Sequence, residues 1–357
     1  MAVVKNEAAD VVPAEPAPPT DEHAAAPAAS AVNGAPGRAN RRDQAGRFAY
    51  RWGLLVVWAL VIVVFGVLKP DTFLTQSNFS TIFGSQAVLV ILAVALLIPL
   101  TTGEYDLSVA GSLGMGLILT QWLQAEHGWS LGTAIAAALL SGVIVGAVNA
   151  FFIIKIGVES LIMTLGMGTL LTGIGFALTE TTIVSPSTGL SDAVRNHFLG
   201  IPLAFYYGLA LTVAAWYVYA RTPLGRYLYF VGSGRDVARL SGIKVDALRA
   251  GGLIVAGLIS AFAGVVLAGV LGSSSPSVSG GFLLPAFAAV FLGATAVTPG
   301  RFNPWGTFIA VYFLITGITG LELLGLVGWI EQVFYGAALI IAVALSRLAA
   351  GRAAVST

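Results

Sequence analysis

The sequence contains no cysteine in its 357 residues, and this absence excludes several classes of site. A disulfide framework, a thiolate metal site and a cysteine nucleophile all need residues that the chain does not have. Its three histidines, His23, His127 and His197, are scattered and do not follow the ligand spacing of a metal cluster. We therefore expect the chain to bind no metal and no cofactor.

Charged residues are also scarce. They make up 10% of the chain, whereas soluble domains contain about 25%. Hydrophobic residues make up 57%, more than a globular core could use, which predicts an all-α polytopic membrane protein. The 43 glycines suit close contacts between membrane helices. A net charge of +1 gives no reason to expect a nucleic-acid partner.

Several catalytic motifs are missing as well. None of the four lysines lies in a Gly-x-x-x-x-Gly-Lys-Ser/Thr context, so the chain has no P-loop for ATP. It has neither a Gly-x-Ser-x-Gly elbow with a triad nor a His-Glu-x-x-His motif. We therefore expect a protein that is not an enzyme. If it carries out ATP-driven transport, a separate subunit must hydrolyse the ATP.

The apolar residues fall into segments of roughly the length that crosses a bilayer. Ten candidate spans are Trp52–Leu68, Ile82–Leu100, Leu107–Leu123, Leu131–Ile154, Ser160–Leu178, Ile201–Ala220, Gly251–Leu271, Leu283–Val297, Trp305–Gly320 and Val327–Leu345. Arginines precede the first span and follow the last one, which predicts that both termini are cytoplasmic. This topology leaves only Lys69 and Arg195 of the 18 basic residues outside.

The two ends of the chain differ from its middle. Residues 1–47 are rich in alanine and proline and nearly free of large apolar side chains, which predicts a disordered cytoplasmic tail. Residues 48–348 form the predicted transmembrane domain, and residues 349–357 a second cytoplasmic tail.

Two polar or broken stretches interrupt the apolar pattern. The first is Thr101–Gly111 with Glu104 and Asp106, and the second is Leu292–Thr307 with Pro299-Gly300 and Asn303-Pro304. Breaks at corresponding places in two halves suggest two inverted repeats with broken or re-entrant segments around a substrate path. The alternative for the first stretch is a tight cytoplasmic turn with hydrated carboxylates.

The stretch Arg221–Arg249 is the long polar interruption of the second half. It carries six basic and two acidic residues, and Arg235–Leu240 has the character of a short helix between Gly234 and Gly242. Such a helix on a basic loop can dock into a groove of a soluble partner. The alternative is a solvated loop that only sets the topology.

Several motifs resemble those of the sugar-type ATP-binding cassette (ABC) importer permeases, the ribose and xylose family. TTGEYDLSVAG resembles the signature Gly-Gly-Ile-Asp-Leu-Ser-Val-Gly of that family, although Glu104, Tyr105 and Ala110 depart from it. AFAAVFLGATAVTPGRFNPWGT resembles a later motif, with Ala294 in place of a second glycine. The matching positions proposed as structural are Gly103, Asp106, Ser108, Gly293, Thr295, Gly300, Arg301, Gly306 and Thr307.

Two further segments extend the resemblance to about Ala49–Leu348. Asn149 and Thr164-Leu165-Gly166 match one of them, and the Ala-Arg-Leu-Ser-Gly-Ile helix of the cytoplasmic loop matches the other, with Ser233-Gly234 departing from the usual Gly-Asn. In that family the loop is implied to contact the ATPase subunit. The residues assigned to this coupling are Arg235, Val237, Arg239, Leu240, Gly242 and Ile243.

The resemblance implies a permease subunit of an ABC importer in the cytoplasmic (inner) membrane. Its partners would be an ABC ATPase, an extracytoplasmic solute-binding protein that could meet Glu180–Gly200, membrane lipid, and a second identical permease chain. A sugar or sugar-like solute is neutral and polar, so its path needs hydroxyl and amide groups. The candidates for that path are Gln86, Asn149, Ser160, Thr164, Thr169 and Thr172.

Two other functions stay open at this point. An ion-coupled secondary transporter of a small polar solute would use intramembrane carboxylates, and the candidates for these are Glu104, Asp106, Glu159, Glu322 and Glu331. Most of them lie at predicted span ends, which weakens that interpretation. A membrane-embedded enzyme finds no support in any nucleophile–base or metal constellation.

Overall fold

The computed structural model describes the backbone of residues 41–355 and the side chains of residues 52–344. Residues 1–40 of the tail predicted to be disordered lie outside the described residues. Helix α1 begins at Arg41, within the last residues of that predicted tail. The α-helices within 41–355 are α1 (Arg41–Leu68), α2 (Pro70–Phe73), α3 (Gln76–Ser85), α4 (Ala87–Thr101), α5 (Val109–His127), α6 (Leu131–Ala150), α7 (Ser160–Leu178), α8 (Gly189–Arg195), α9 (Leu203–Arg221), α10 (Pro223–Ser233), α11 (Arg235–Leu240), α12 (Val245–Leu271), α13 (Leu283–Gly293), α14 (Pro304–Leu323) and α15 (Trp329–Val355).

Short elements of other kinds join these helices. A π-helical turn (Phe151–Ile156) extends α6, and a 3₁₀ turn (Ser279–Phe282) leads into α13. Four two-residue strands are β1 (Ile183–Val184), β2 (His197–Phe198), β3 (Ile201–Pro202) and β4 (Ser273–Ser274). Strands β1 and β4 pair antiparallel and tie the segment after α7 to the end of α12, while β2 and β3 form a hairpin.

The predicted all-α polytopic membrane protein is confirmed. Each of the ten predicted spans falls on a helix, and six helical segments within the described residues are long and apolar enough to cross a membrane. These six are Gln76–Thr101, Leu131–Ile156, Ser160–Leu178, Leu203–Arg221, Val245–Leu271 and Pro304–Leu323. Shorter apolar helices cover Trp52–Leu68, Ser279–Gly293 and Trp329–Ala344. Ten crossings and an inverted repeat stay predictions.

Helix α4 lies at the centre of the core because nearly all its side chains are apolar and buried. Helix α12 packs against α4, α5 and α6 through glycines that bring the backbones together. A Cβ placed on Gly257 would fall on the Gly142 carbonyl oxygen, and one placed on Gly264 would fall on the Leu113 carbonyl oxygen. Small residues permit this approach, and the close packing that it allows favours helix association in lipid, where no hydrophobic effect drives helices together.

Candidate functional site

A short polar loop, residues 102–108, joins α4 to α5. The Glu104 N–H donates to the Pro99 carbonyl at 2.9 Å, which turns the chain sharply at the end of α4. Gly103 has a φ of +82°, a conformation that favours glycine. A Cβ there would also lie 3.3 Å from a guanidinium nitrogen of Arg235, so the glycine leaves room for this contact.

The Glu104 carboxylate is the charged centre of the 102–108 loop. Only 3% of its side chain is exposed, and its Oε1 accepts from Arg235 Nη2 and from Arg249 Nε, each at 2.6 Å. Arg235 also donates to the Thr102 and Gly103 carbonyls at 3.3 and 3.0 Å. Since Arg235 begins α11 and Arg249 lies in the second turn of α12, one carboxylate joins the loop to both helices.

Helix α7 holds the loop from the other side with two hydroxyls. Ser160 Oγ accepts from the Tyr105 N–H at 3.1 Å, and Thr164 Oγ1 accepts from the Leu107 N–H at 3.0 Å. The Thr164 hydroxyl lies 3.0 Å from the Tyr105 carbonyl and 2.7 Å from the Ser160 carbonyl, to either of which it can donate. Backbone groups that would otherwise be buried without partners are satisfied in this way.

A buried chain of hydrogen bonds continues into α6. Asp106 Oδ1 accepts from the Ser108 N–H at 3.0 Å and from the Ser108 hydroxyl at 2.6 Å, and Asn149 Nδ2 donates to Ser108 Oγ at 2.8 Å. Burial raises the pKa of the Asp106 carboxyl to about 6, while the hydrogen bonds from Ser108 act against this rise. Asp106 thus holds the turn that leads into α5.

The second break, residues 294–303, joins α13 to α14 and is organised by Asn303. Its Oδ1 accepts from the Gly306 N–H at 2.7 Å, which caps α14. Its Nδ2 donates to the Gly293 and Ala296 carbonyls at 3.2 and 3.0 Å. A Cβ on Gly306 would fall on the Gly293 carbonyl oxygen, so both glycines permit the close approach of α13 and α14.

Three other motif residues, two in this loop and one just after it, also have defined places. Gly300, with a φ of +84°, donates its N–H to the Ala294 carbonyl at 2.9 Å. Thr295 Oγ1 donates to the Leu292 carbonyl at 2.7 Å. Thr307 is fully buried in the first turn of α14.

Both breaks in the apolar pattern, Thr101–Gly111 and Leu292–Thr307, meet the segment α9–α10. The Tyr219 hydroxyl lies 3.1 Å from Thr101 Oγ1 at the end of α4, and the Tyr229 hydroxyl donates to the Phe302 carbonyl at 2.5 Å. The Arg301 guanidinium lies 5.6 Å from the centroid of the Tyr229 ring. Burial raises the pKa of Tyr229 to about 12, and the nearby charge of Arg301 opposes this. The basic stretch is therefore packed against both breaks.

Helix α11 points part of its surface outward. Val237 is 58% exposed and Leu240 is 90% exposed, whereas Ala238 is fully buried. The helix ends in a Schellman motif: Gly242, with a φ of +79°, donates to the Arg239 carbonyl, and Ile243 donates to the Ala238 carbonyl.

Ile243 does not share the outward surface of Val237 and Leu240. It packs in a small cluster with Val231, Ala238 and Val245. Arg239 remains at the surface and pairs with Asp246 at 3.1 Å. The outward apolar surface of this segment is thus Val237 with Leu240, and we call it the α11 knob.

The sequence that builds these features is similar to those of known proteins. Residues 78–343 match the family described as "Branched-chain amino acid transport system / permease component". The chain belongs to this family of permeases. No solved structure matches the chain.

The permease is similar to curated import permeases over most of its length. It is 28% identical to the D-allose transport system permease AlsC of Escherichia coli, across 84% of this chain and 92% of the relative. It is 31% identical to the ribose import permease RbsC of Bacillus subtilis, across 81% and 90%. It is 30% identical to the autoinducer 2 import system permease LsrD of Salmonella paratyphi A, across 82% and 91%. The predicted resemblance to sugar-type ABC importer permeases is confirmed, and these relatives favour it over an ion-coupled transporter.

The six predicted path residues of the permease do not lie together in the structure. Asn149, Ser160 and Thr164 belong to the hydrogen-bond network of the 102–108 loop. Thr169 and Thr172 line an open groove of about 450 Å³ between α5 and α7. The sixth, Gln86, lies half-buried at the junction of α3 and α4.

Four residues that hold the two loops of the permease in place are not assigned that role in the sequence analysis. Glu104 and Arg249 are visible only as charges, because their partnership spans 145 residues. Tyr229 gives no signal in a stretch of aromatic residues. Asn303 is recognised only as a turn residue before proline, although an Asn three residues before Gly306 fits an N-cap.

Proposed function

We propose that this permease moves a sugar or sugar-like small molecule, delivered by an extracytoplasmic binding protein, through the membrane at the expense of ATP hydrolysed on a separate subunit. The observation that carries the proposal is the 102–108 loop and its anchoring to the basic segment in a chain related to ribose and allose permeases. The family description names branched-chain amino acids, which are zwitterions. The open groove instead has the hydroxyls of Thr169, Thr172 and Ser279 and no charged residue, which suits a neutral solute. The two threonine hydroxyls donate to carbonyls of their own helix, so their oxygens are left to accept from a solute.

The α11 knob is the proposed contact with the ATPase subunit. Leu240 is exposed although leucine gains by burial, and the helix that carries it is fixed at one end by Arg235 and at the other by the Gly242 cap. A rigid apolar projection rimmed by Arg235 and Arg239 fits a groove on a soluble subunit. Motion of α11 would reach the 102–108 loop directly, since Arg235 and Arg249 share the Glu104 carboxylate.

We expect ten crossings arranged as two inverted repeats, with both termini and α10–α11 in the cytoplasm. Reporter fusions after Ala49 and after Arg352 should both report a cytoplasmic location, because arginines flank the first and last spans. A fusion after Leu199, in the segment between α7 and α9, serves as the control and should report the exterior. An exterior signal after Arg352 would refute the even number of crossings.

We further expect the permease to work as a homodimer with two ATPase subunits. Helix α7 exposes Ile162, Leu165 and Leu170 beside the open groove, so one chain encloses this groove incompletely. A second copy could complete a path along Thr169 and Thr172. Native mass measurement of the purified transporter should give two permease chains for each particle. An active particle with one permease chain would contradict this stoichiometry.

Uptake into proteoliposomes tests the proposed function. Permease, ATPase and binding protein from the same source should take up radiolabelled ribose or allose only when ATP is supplied on the ATPase side. Leucine is the matched control and should enter at least tenfold more slowly, the factor that about 1.4 kcal/mol of discrimination gives. A proton ionophore should leave the uptake unchanged. Uptake without ATP that the ionophore abolishes would favour an ion-coupled transporter instead.

A further inference from the structure

A second cavity shares no lining residue with the Thr169 groove. It has a volume of about 400 Å³ and is bounded by α4, α9, α10 and α12. We call it the α9–α12 groove. Its walls include Ile98, Leu211, Val218, Leu228 and Val255, and its other lining residues are also apolar or glycine, apart from Tyr219. The hydroxyl of Tyr219 is already engaged with Thr101. A polar solute would find no partner here, whereas a hydrocarbon chain would.

The length of the groove fits one leaflet of a bilayer. Its α12 wall runs from Ala247 to Ile259, about 18 Å at 1.5 Å per residue. One leaflet contributes about 15 Å of hydrocarbon, half of a core of roughly 30 Å. Both α9 and α12 are long and apolar enough to span a membrane, so the groove runs along two candidate membrane spans.

Basic residues stand at one end of both helical walls. Arg221 follows Val218 by three residues at the end of α9, and Lys244 precedes Leu248 by four residues at the start of α12, so each continues a wall of the groove. Both are exposed. Asp246, two residues after Lys244, is paired with Arg239 and Arg249. This end of the groove therefore favours an anion.

Helix α10 closes the same end with an amphipathic surface. Its Leu224 and Leu228 line the groove, while Arg226, Tyr227 and Phe230 are exposed. Exposed aromatic rings beside a cation on a short amphipathic helix are typical of a helix that lies at the membrane interface.

We propose that the α9–α12 groove binds one acyl chain of an anionic phospholipid, with the headgroup held between Arg221 and Lys244. The proposal rests on the orientation given above, which places this end of the groove at the cytoplasmic leaflet. Anionic lipids are abundant there. The bound chain would fill the space between α10 and α12, next to Tyr219 and the residues that hold the 102–108 loop. The bound lipid would then help to hold the coupling segment, α10 and α11, in place.

Native mass spectrometry of the purified transporter tests this site. A Cβ on Gly251 would meet nothing within 4 Å, so Gly251→Leu should fill the groove without disturbing the backbone. Each excluded methylene lowers acyl-chain affinity about fourfold. We expect the parent to retain phosphatidylglycerol and Gly251→Leu to retain at least tenfold less. Gly53→Leu in α1, where the added side chain also meets open space, is the matched control and should retain the lipid.

The charged end is tested separately by Arg221→Gln with Lys244→Gln. This double variant should bind phosphatidylglycerol and phosphatidylcholine equally, whereas the parent should prefer the former. The proposal would be overturned if the parent and Gly251→Leu retain equal amounts of phosphatidylglycerol. It would also be overturned if the only molecule bound to the parent is an additive from purification. Parallel uptake assays separate it from the proposed function. If the parent shows ATP-driven uptake but the parent and Gly251→Leu retain equal lipid, only the lipid site is refuted. If Gly251→Leu loses the lipid but the parent shows no ATP-driven uptake, only the transport proposal is refuted.

Discussion

Glu104→Gln is expected to destabilise the permease by about 3 kcal/mol, the lower part of the range for a broken buried ion pair. The carboxylate is 3% exposed and serves two arginines, and the Arg249 side chain is only 12% exposed. The variant would leave that cation buried with Asp246 at 3.7 Å as its remaining acidic neighbour. Thermal unfolding of the purified protein in detergent, together with the yield of folded protein, measures the effect.

Two further variants make this prediction specific. Asp246→Asn removes an acid that is 56% exposed and should change stability by less than about 1 kcal/mol. Glu104→Gln combined with Arg249→Gln should recover part of the loss, because no uncompensated buried charge remains at Arg249. If Glu104→Gln unfolds like the parent, the carboxylate does not hold the loop to α11 and α12.

Gly257→Ala is expected to weaken the packing of α6 against α12 by about 1–3 kcal/mol, the usual cost of overpacking. The added Cβ would fall on the Gly142 carbonyl oxygen, where only a backbone shift can make room. Gly251→Ala in the same helix is the control, because nothing lies within 4 Å of its Cβ. That change should be neutral or stabilising by up to about 1 kcal/mol, since alanine favours helix.

The same thermal-unfolding measurement distinguishes the two glycines. A melting temperature that falls for Gly257→Ala and holds or rises for Gly251→Ala would support packing through backbone contact. Equal melting temperatures would mean that the close contact at Gly257 does not contribute to the packing of α6 against α12.

Local pattern predicts a large part of this fold. The ten apolar segments fall on helices, and α11 has the bounds Arg235–Leu240 that the sequence analysis assigns to a short helix. Gly242 occupies the predicted cap position because its role depends only on neighbouring residues. Helix α10 is different: its sequence is that of an amphipathic helix, but the basic residues around it lead to the prediction of a loop.

Long-range partners could not be predicted from the sequence. Glu104 meets Arg235 and Arg249 across 131 and 145 residues, and no periodicity encodes this distance. The hydroxyls of Ser160 and Thr164 are chosen as path candidates because of their polarity, yet they bind the backbone of the 102–108 loop. Polar side chains in membrane helices serve neighbouring backbone as readily as a solute, so residue type alone does not separate the two roles.

The pairing of Glu104 also bears on the choice between mechanisms. A coupling carboxylate of an ion-driven transporter must exchange its cation during the cycle. Two arginines hold the Glu104 carboxylate at 2.6 Å, which suits a fixed mechanical link between the loop and the coupling segment. Asp106 is likewise engaged, through both donors of Ser108.

The central claim is that the α11 knob contacts the ATPase subunit, and site-specific cross-linking tests it most directly. Because the chain has no cysteine, Leu240→Cys creates a single thiol on the permease, which can be labelled with a photo-cross-linker before the transporter is assembled. We predict an adduct between the permease and the ATPase subunit. Leu199→Cys, 82% exposed in the segment between α7 and α9, should give no such adduct. An ATPase adduct from Leu199→Cys, or none from Leu240→Cys in a transporter that retains ATP-driven uptake, would contradict the account.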